Sequence, residues 1–61
     1  MKYEIGSLWY MKGKYKDLNK EDLVEITDRI KEGRHTFVDV QDIQGNQYYH
    51  INVKKLRKRK H

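Results

Sequence analysis

The chain has 61 residues and a formal net charge of +5 at pH 7, with 36% hydrophobic and 38% charged residues. This length allows one small domain, and the absence of cysteine excludes disulfides and thiolate metal sites. The longest apolar stretch is too short to span a membrane, so we expect a cytoplasmic protein that makes no membrane contact. The three histidines are far apart and predict neither a metal site nor another cofactor.

Two segments precede the first ambiguous element. Residues 5–11, IGSLWYM, predict a strand because aromatic and β-favouring residues dominate their second half. Within this strand we expect Trp9 to belong to the core. The polar, lysine-rich residues 12–22 then predict a long loop.

The loop carries a pattern that is typical of a single-strand-binding groove. If the loop is extended, Lys12, Lys14 and Lys16 lie on one side with Tyr15 among them. Ammonium groups can follow a phosphate backbone while an aromatic ring stacks on the bases. The alternative is an ordinary solvated loop in which Tyr15 packs against the domain.

The next segment, LVEITDRI, fits two structures. In a strand, Val24, Ile26 and Ile30 alternate onto one face. In a helix over about residues 20–32, Leu23, Ile26 and Ile30 recur at i, i+3 and i+7, and acidic residues occupy the first turn. The local pattern leaves both structures open.

Residues 36–53 predict an antiparallel hairpin, with a turn at 44–46. Strict alternation would place Tyr49 on the buried face and would leave Phe37 and Tyr48 pointing away from it. A pair of exposed rings on a small domain usually marks a protein interface. The residues that we predict to form the core are Ile5, Leu8, Val24, Ile26, Ile30, Val38, Val40, Tyr49, Ile51, Val53 and Leu56.

The order of the segments resembles that of the SH3-like small barrels, especially their Tudor and KOW-type branches. Asp42, Gly45, Asn46 and Leu56 match a Tudor stretch in which an Asp-Tyr-Gly-Asn turn precedes a strand and a closing leucine. The tyrosine, which helps to form the Tudor cage for methylated lysine or arginine, has no counterpart here. The resemblance implies an all-β, SH3-like barrel of about five strands; the alternative is a β-α-β-β fold with the helix at about 20–32.

Positive charge is concentrated at the end of the sequence. Six of the 14 basic residues lie after residue 53, which leaves 8 basic against 9 acidic residues in 1–53. We therefore predict a barrel domain at 1–56 and a basic tail at 57–61. Such a run of charge can neutralise backbone phosphates, and the alternative is a solvated end of the chain.

These patterns predict a non-catalytic nucleic-acid-binding module, since Ser7 is the sole serine and no motif pairs it with a histidine. The alternative is a protein-interaction adaptor, or a small phage or mobile-element regulatory protein, that binds a protein partner through Phe37 and Tyr48. We expect a monomer or an edge-strand dimer. The residues predicted to contact DNA or RNA are Lys12, Lys14, Tyr15, Lys16, Lys54, Lys55, Arg57, Lys58, Arg59 and Lys60.

Overall fold

The protein is an antiparallel all-β structure in a computed structural model that describes residues 2–58. Its elements are β1 (Leu8–Met11), β2 (Leu23–Glu32), β3 (His35–Asp42), β4 (Gln47–Asn52), the 3₁₀ turn η1 (Val53–Lys55) and β5 (Leu56–Lys58). The five strands form one sheet in the order β4-β3-β2-β1-β5, which is not closed by pairing between β4 and β5. The predicted all-β class is confirmed. No helix in residues 2–58 has the length and hydropathy that a membrane crossing requires.

The ambiguous segment is a strand, as the predicted all-β fold requires, and the alternative of a helix at about 20–32 is wrong. β2 pairs with β1 on one side and with β3 on the other, and its side chains at Val24 and Ile26 are buried. β-branched residues fit a half-buried pleated surface better than the crowded turns of a helix. Pairing with two neighbouring strands therefore decides between the two local patterns.

The core joins all five strands to the long loop. Seven of the predicted core residues are buried, namely Val24, Ile26, Val38, Val40, Ile51, Val53 and Leu56. Sequence reasoning missed three further buried residues, Met11, Leu18 and Tyr48. Trp9 packs against this cluster and is partly buried, with its Nε1 donating a hydrogen bond to Ser7 Oγ at 2.9 Å.

Two predicted core residues near β1 are exposed instead. Ile5 is 63% exposed because it lies in a turn before the strand, where the amide of Gly6 donates to the carbonyl of Ile26 at 2.7 Å. Leu8 is 38% exposed, since alternation along β1 directs Met11 into the core and Leu8 to the opposite face. The expectation that both lie in the core is wrong.

A β-bulge explains the exposure of Ile30. The register passes from Ile26 opposite Val40 to Asp28 opposite Asp39, so Thr27 is an extra residue in β2. This residue reverses the alternation that grouped Ile30 with Ile26. Ile30 therefore lies 54% exposed and away from the core, contrary to the prediction.

A second bulge, in β4, determines which of Tyr48 and Tyr49 is buried. Ile51 lies opposite Val38 and Tyr48 lies opposite Val40, so two residues of β4 face one residue of β3. His50 has φ +56° at this position, and its amide donates to the carboxylate of Asp39 at 3.0 Å. The predictions for Tyr48 and Tyr49 are both wrong in position: Tyr48 is buried and Tyr49 is 64% exposed.

Candidate nucleic-acid interface

A basic groove lies where the long loop meets η1. It has a volume of about 310 Å³ and is lined by Met11, Lys12, Gly13, Lys14, Tyr15, Lys54 and Lys55. The amide of Lys12 donates to the carbonyl of Lys55 at 2.8 Å, which joins the two walls. The structure thus brings together two groups of predicted lysines that lie about forty positions apart in the sequence.

The loop wall is held by a small hairpin of its own. Tyr15 and Leu18 exchange two backbone hydrogen bonds of 2.8 Å, and the side chain of Leu18 is fully buried. Tyr15 packs partly against the core, so its ring is fixed at the groove. Lys16 has φ +53° within this turn, and its Nζ lies 5.6 Å from the centroid of the Tyr15 ring. Lys16 is therefore beside the aromatic ring and outside the lining of the groove.

The opposite wall is positioned by the 3₁₀ turn. The side-chain oxygen of Asn52 accepts a hydrogen bond from the amide of Lys54 at 2.9 Å and caps η1. Val53 and Leu56 on either side are buried. These two anchors leave Lys54 and Lys55 exposed, with their side chains at the groove.

Arg57 is engaged in the fold. Its Nε donates to the carbonyl of Met11 at 3.1 Å and its NH2 group donates to the carbonyl of Lys20 at 2.9 Å. The guanidinium carbon lies 4.7 Å from the centroid of the Tyr10 ring. Arg57 therefore joins β5 to both ends of the long loop, which limits what it can offer to a phosphate.

The remaining predicted tail residues are only partly described. Lys58 is exposed at the end of β5, opposite Trp9 of β1. Arg57 and Lys58, which the sequence assigned to a tail, are thus strand residues. Arg59 and Lys60 lie outside the described residues.

The basic groove carries uncompensated charge within the part of the chain that the structure describes. No ion pair or side-chain hydrogen bond joins Lys12, Lys14, Lys54 or Lys55 to another described residue. Four ammonium groups around one groove create a local positive potential. An anion that entered would not have to displace an existing carboxylate partner.

An acidic pocket lies on the other side of the long loop, and sequence reasoning missed it. Its volume is about 250 Å³, and its lining includes Asp17, Asp22, Asp42 and Tyr48. Burial and the negative charges of Asp42, Asp17 and Asp22 raise the pKa of the Tyr48 hydroxyl above its ordinary value. In the sequence, Asp42, Gly45 and Asn46 indicate the turn that forms one side of this pocket, but no local pattern indicates that Asp17 and Asp22 lie beside it.

Asp42 organises the β3–β4 turn beside this pocket. Its Oδ1 accepts hydrogen bonds from the amides of Gln44 and Asn46 at 2.9 Å, and its Oδ2 accepts one from Asn46 Nδ2 at 3.1 Å. Partial burial favours the neutral acid, but these bonds to the carboxylate prevail and lower the pKa of Asp42. Gly45 completes the turn at φ +91°, a conformation that glycine adopts readily.

The predicted aromatic interface has a different composition from the one we expected. Phe37 is half-buried and stacks on His50, with ring centroids 4.1 Å apart and an angle of 7° between the planes. Ile30 and Tyr49 border the same depression. Tyr48 lies in the core and lines the acidic pocket instead, so the expectation that it is an exposed partner of Phe37 is wrong.

Comparisons with known proteins do not indicate a function for this chain. No family model, curated protein or solved structure matches this chain. Within residues 2–58, no group of three or more histidine or carboxylate side chains is arranged to hold a metal ion.

Proposed function

We propose that this chain is a non-catalytic nucleic-acid-binding module that acts in the cytoplasm and holds a phosphate backbone in its basic groove. The observation that carries the proposal is the convergence of Lys12 and Lys14 from the loop with Lys54 and Lys55 from η1. Lysine side chains without carboxylate partners gain from phosphate contact through release of condensed counterions. Tyr15 at the same groove offers a ring on which an unpaired base can stack.

We also propose that the sheet is that of an SH3-like small barrel. The strand order β4-β3-β2-β1-β5 and the 3₁₀ turn immediately before β5 support this assignment. In this arrangement the long loop and the end of η1 lie at the same end of the sheet, where Lys12 bonds to Lys55. The basic groove is then a product of the topology.

The proposal predicts binding with a strong dependence on salt. Labelled single-stranded DNA, duplex DNA and RNA should be titrated with the protein at 50 and 200 mM salt and followed by fluorescence anisotropy. Four phosphate contacts imply that affinity for duplex DNA falls about 10²-fold over this interval, at ~0.9 counterions per phosphate. No binding of any of the three nucleic acids at 50 mM salt would contradict the proposal.

Charge reversal locates the contact. The double variant Lys12→Glu/Lys54→Glu should reduce affinity and flatten the salt dependence, because it places carboxylates on both walls of the groove. Lys31→Glu/Arg34→Glu is the matched control, since it changes the net charge equally at exposed positions at the end of β2 and in the β2–β3 turn. Equal losses in the two variants would show that net charge, and not the basic groove, holds the nucleic acid.

The basic end is tested separately. Lys58→Glu/Arg59→Glu should weaken binding if residues after the groove extend the contact with the backbone. Unchanged affinity in this variant would show that the tail has no part in binding and would leave the groove as the contact. Circular dichroism should accompany each variant, because Lys58 belongs to β5.

An alternative proposal is a protein-interaction adaptor that uses the depression around Phe37. Ile30 and Tyr49 are large apolar residues that are more than half exposed there, and exposed apolar clusters often mark interfaces. Ile30→Asp/Tyr49→Ser should abolish this activity and should spare nucleic-acid binding. Binding of a protein partner through this depression should persist at 200 mM salt, because an aromatic interface is less sensitive to ionic strength than contacts with phosphates are.

A further inference from the structure

Tyr10 is an aromatic residue that neither the core nor the proposed nucleic-acid contact uses. It lies in β1 between Trp9 and Met11, and alternation places its side chain on the outer face of the sheet, because Met11 is buried. Within residues 2–58, the partly buried aromatic residues that pack against the core are Tyr3, Trp9 and Tyr15, and Tyr10 is not among them. Tyr10 is nevertheless half-buried, so contacts on the outer face hold its ring.

The partner of the Tyr10 ring is Arg57, which lies directly opposite in β5. The guanidinium carbon is 4.7 Å from the centroid of the ring. The same guanidinium donates to the carbonyls of Met11 and Lys20 at 3.1 and 2.9 Å, and these bonds fix its plane. Within residues 2–58, no second ring or cation lies over Tyr10. The fold therefore holds one face of the ring and leaves the exposed remainder for another planar group.

Tyr10 lies at the edge of the basic groove. Met11, whose carbonyl accepts the hydrogen bond from Arg57, lines the groove together with Lys12. Because consecutive Cα atoms are about 3.8 Å apart, the Cα atoms of Tyr10 and Lys12 are separated by at most about 7.6 Å. A phosphate that Lys12 holds would therefore bring the base of a neighbouring nucleotide within reach of the Tyr10 ring.

We propose that the ligand of the basic groove is a single-stranded nucleic acid, and that Tyr10 stacks on one of its bases in addition to the base at Tyr15. The inference rests on the proposed nucleic-acid function and adds the class of nucleic acid and a second stacking residue. Every base has a face that can stack, so the contact requires no particular sequence. A duplex suits neither ring, because each base would first have to leave its own stack.

The ring and the lysines should respond differently to salt. Contacts between lysines and phosphates weaken as salt rises, because fewer counterions are released on binding. Stacking on Tyr10 involves no charge on the protein, so its loss should lower affinity by a similar factor at each salt concentration. The slope of affinity against salt therefore separates the contribution of Tyr10 from that of Lys12.

The test is an anisotropy titration of the full chain with a labelled twelve-nucleotide oligothymidine, the oligouridine of the same length and a duplex, at 50 and 200 mM salt. Tyr10→Leu keeps apolar bulk on β1 but removes the aromatic face. It should weaken binding of both single strands roughly 5- to 150-fold, as expected for one stacked base, and should change duplex binding little. Tyr10→Phe keeps the ring and should bind as wild type does. Tyr49→Leu is the matched control, because it removes an exposed tyrosine outside the groove.

Nuclear magnetic resonance locates the contact independently of affinity. Addition of the oligothymidine to the wild-type protein should shift the ring resonances of Tyr10 and Tyr15 and leave those of Tyr49 in place. Circular dichroism should show that Tyr10→Leu keeps the wild-type fold. If that variant does not fold, the ring resonances of the wild-type protein decide the test, and an unshifted Tyr10 ring would overturn the inference.

Failure of this inference differs from failure of the proposed function. A wild-type protein that binds none of the three nucleic acids would overturn the proposed function. A wild-type protein that binds the duplex as tightly as the single strands would overturn only the inference. The same holds if Tyr10→Leu binds as wild type does, or if Tyr10→Leu and Tyr10→Phe lose equal affinity.

Discussion

The basic groove and the acidic pocket flank the same loop, but their charged residues have different structural duties. The carboxylates of Asp22 and Asp42 accept backbone hydrogen bonds that hold turns, from Asn19 in the first case and from Gln44 and Asn46 in the second. The lysines of the basic groove have no such partners among the described residues. Changing the groove lysines should therefore alter binding alone, whereas changing the carboxylates of the acidic pocket should also affect folding.

A substitution in the hydrophobic core, which supports both sites, should produce the largest effect. Ile26 is fully buried between β1 and β3, and Ile26→Ala should cost about 2–5 kcal/mol of unfolding free energy. A 61-residue domain has little stability to spare, so we expect loss of the folded signal in circular dichroism and loss of both sites together. A cooperative unfolding transition close to that of wild type would show that neither site rests on this core.

Substitution of Tyr15 should distinguish binding to single strands from binding to duplexes. Tyr15→Ala removes the ring at the groove, which should cost about 1–3 kcal/mol per stacked base, or roughly 5- to 150-fold in affinity for single strands. Duplex binding should change less, because paired bases are not available for stacking. Tyr15→Phe keeps the ring and is the control. Equal losses for single strands and duplexes would instead indicate a distorted loop, since Tyr15 also contacts the core.

Substitution of Arg57 should affect stability more than binding, whereas substitution of a groove lysine should affect binding more than stability. Arg57→Lys keeps the charge but cannot reproduce both hydrogen bonds, to Met11 and to Lys20, so it should cost about 1 kcal/mol of unfolding free energy. Chemical denaturation measures this loss, and anisotropy should show a nearly unchanged salt dependence. A stable variant with much weaker binding would make Arg57 a phosphate contact.

The pH dependence of Asp42 should be the smallest effect. Because its pKa is lower in the folded protein than in the unfolded chain, its contribution to stability is complete above about pH 4 and is lost as pH falls through the folded pKa. The thermal stability of the wild-type protein should therefore decrease as the pH falls from about 4 to about 2. Asp42→Asn should have lower stability at pH 7 and a flatter profile at low pH. Parallel profiles would exclude this role.

Much of the fold was readable from the sequence. The turn predicted at 44–46 separates β3 from β4, and alternation at Val38, Val40 and Ile51 identified the buried face of β3 and part of β4. The loop lysines and the lysines after residue 53 were both identified as candidate contacts. Nothing in the local pattern indicated that the two groups form one groove, because that depends on how β5 pairs with β1.

The sequence by itself determined the first strand, the β3–β4 hairpin, the concentration of positive charge and most of the core, because these follow from local alternation and composition. It left β2 open between strand and helix, and it assigned most of β5 to a tail. Only the tertiary structure decided which faces the two bulges expose, and hence that Tyr48 is buried and Tyr49 is not. An inserted residue leaves no periodic signal, yet it reverses every side chain beyond it. The positions of the basic groove and the acidic pocket follow from pairing between distant strands, which no local pattern records.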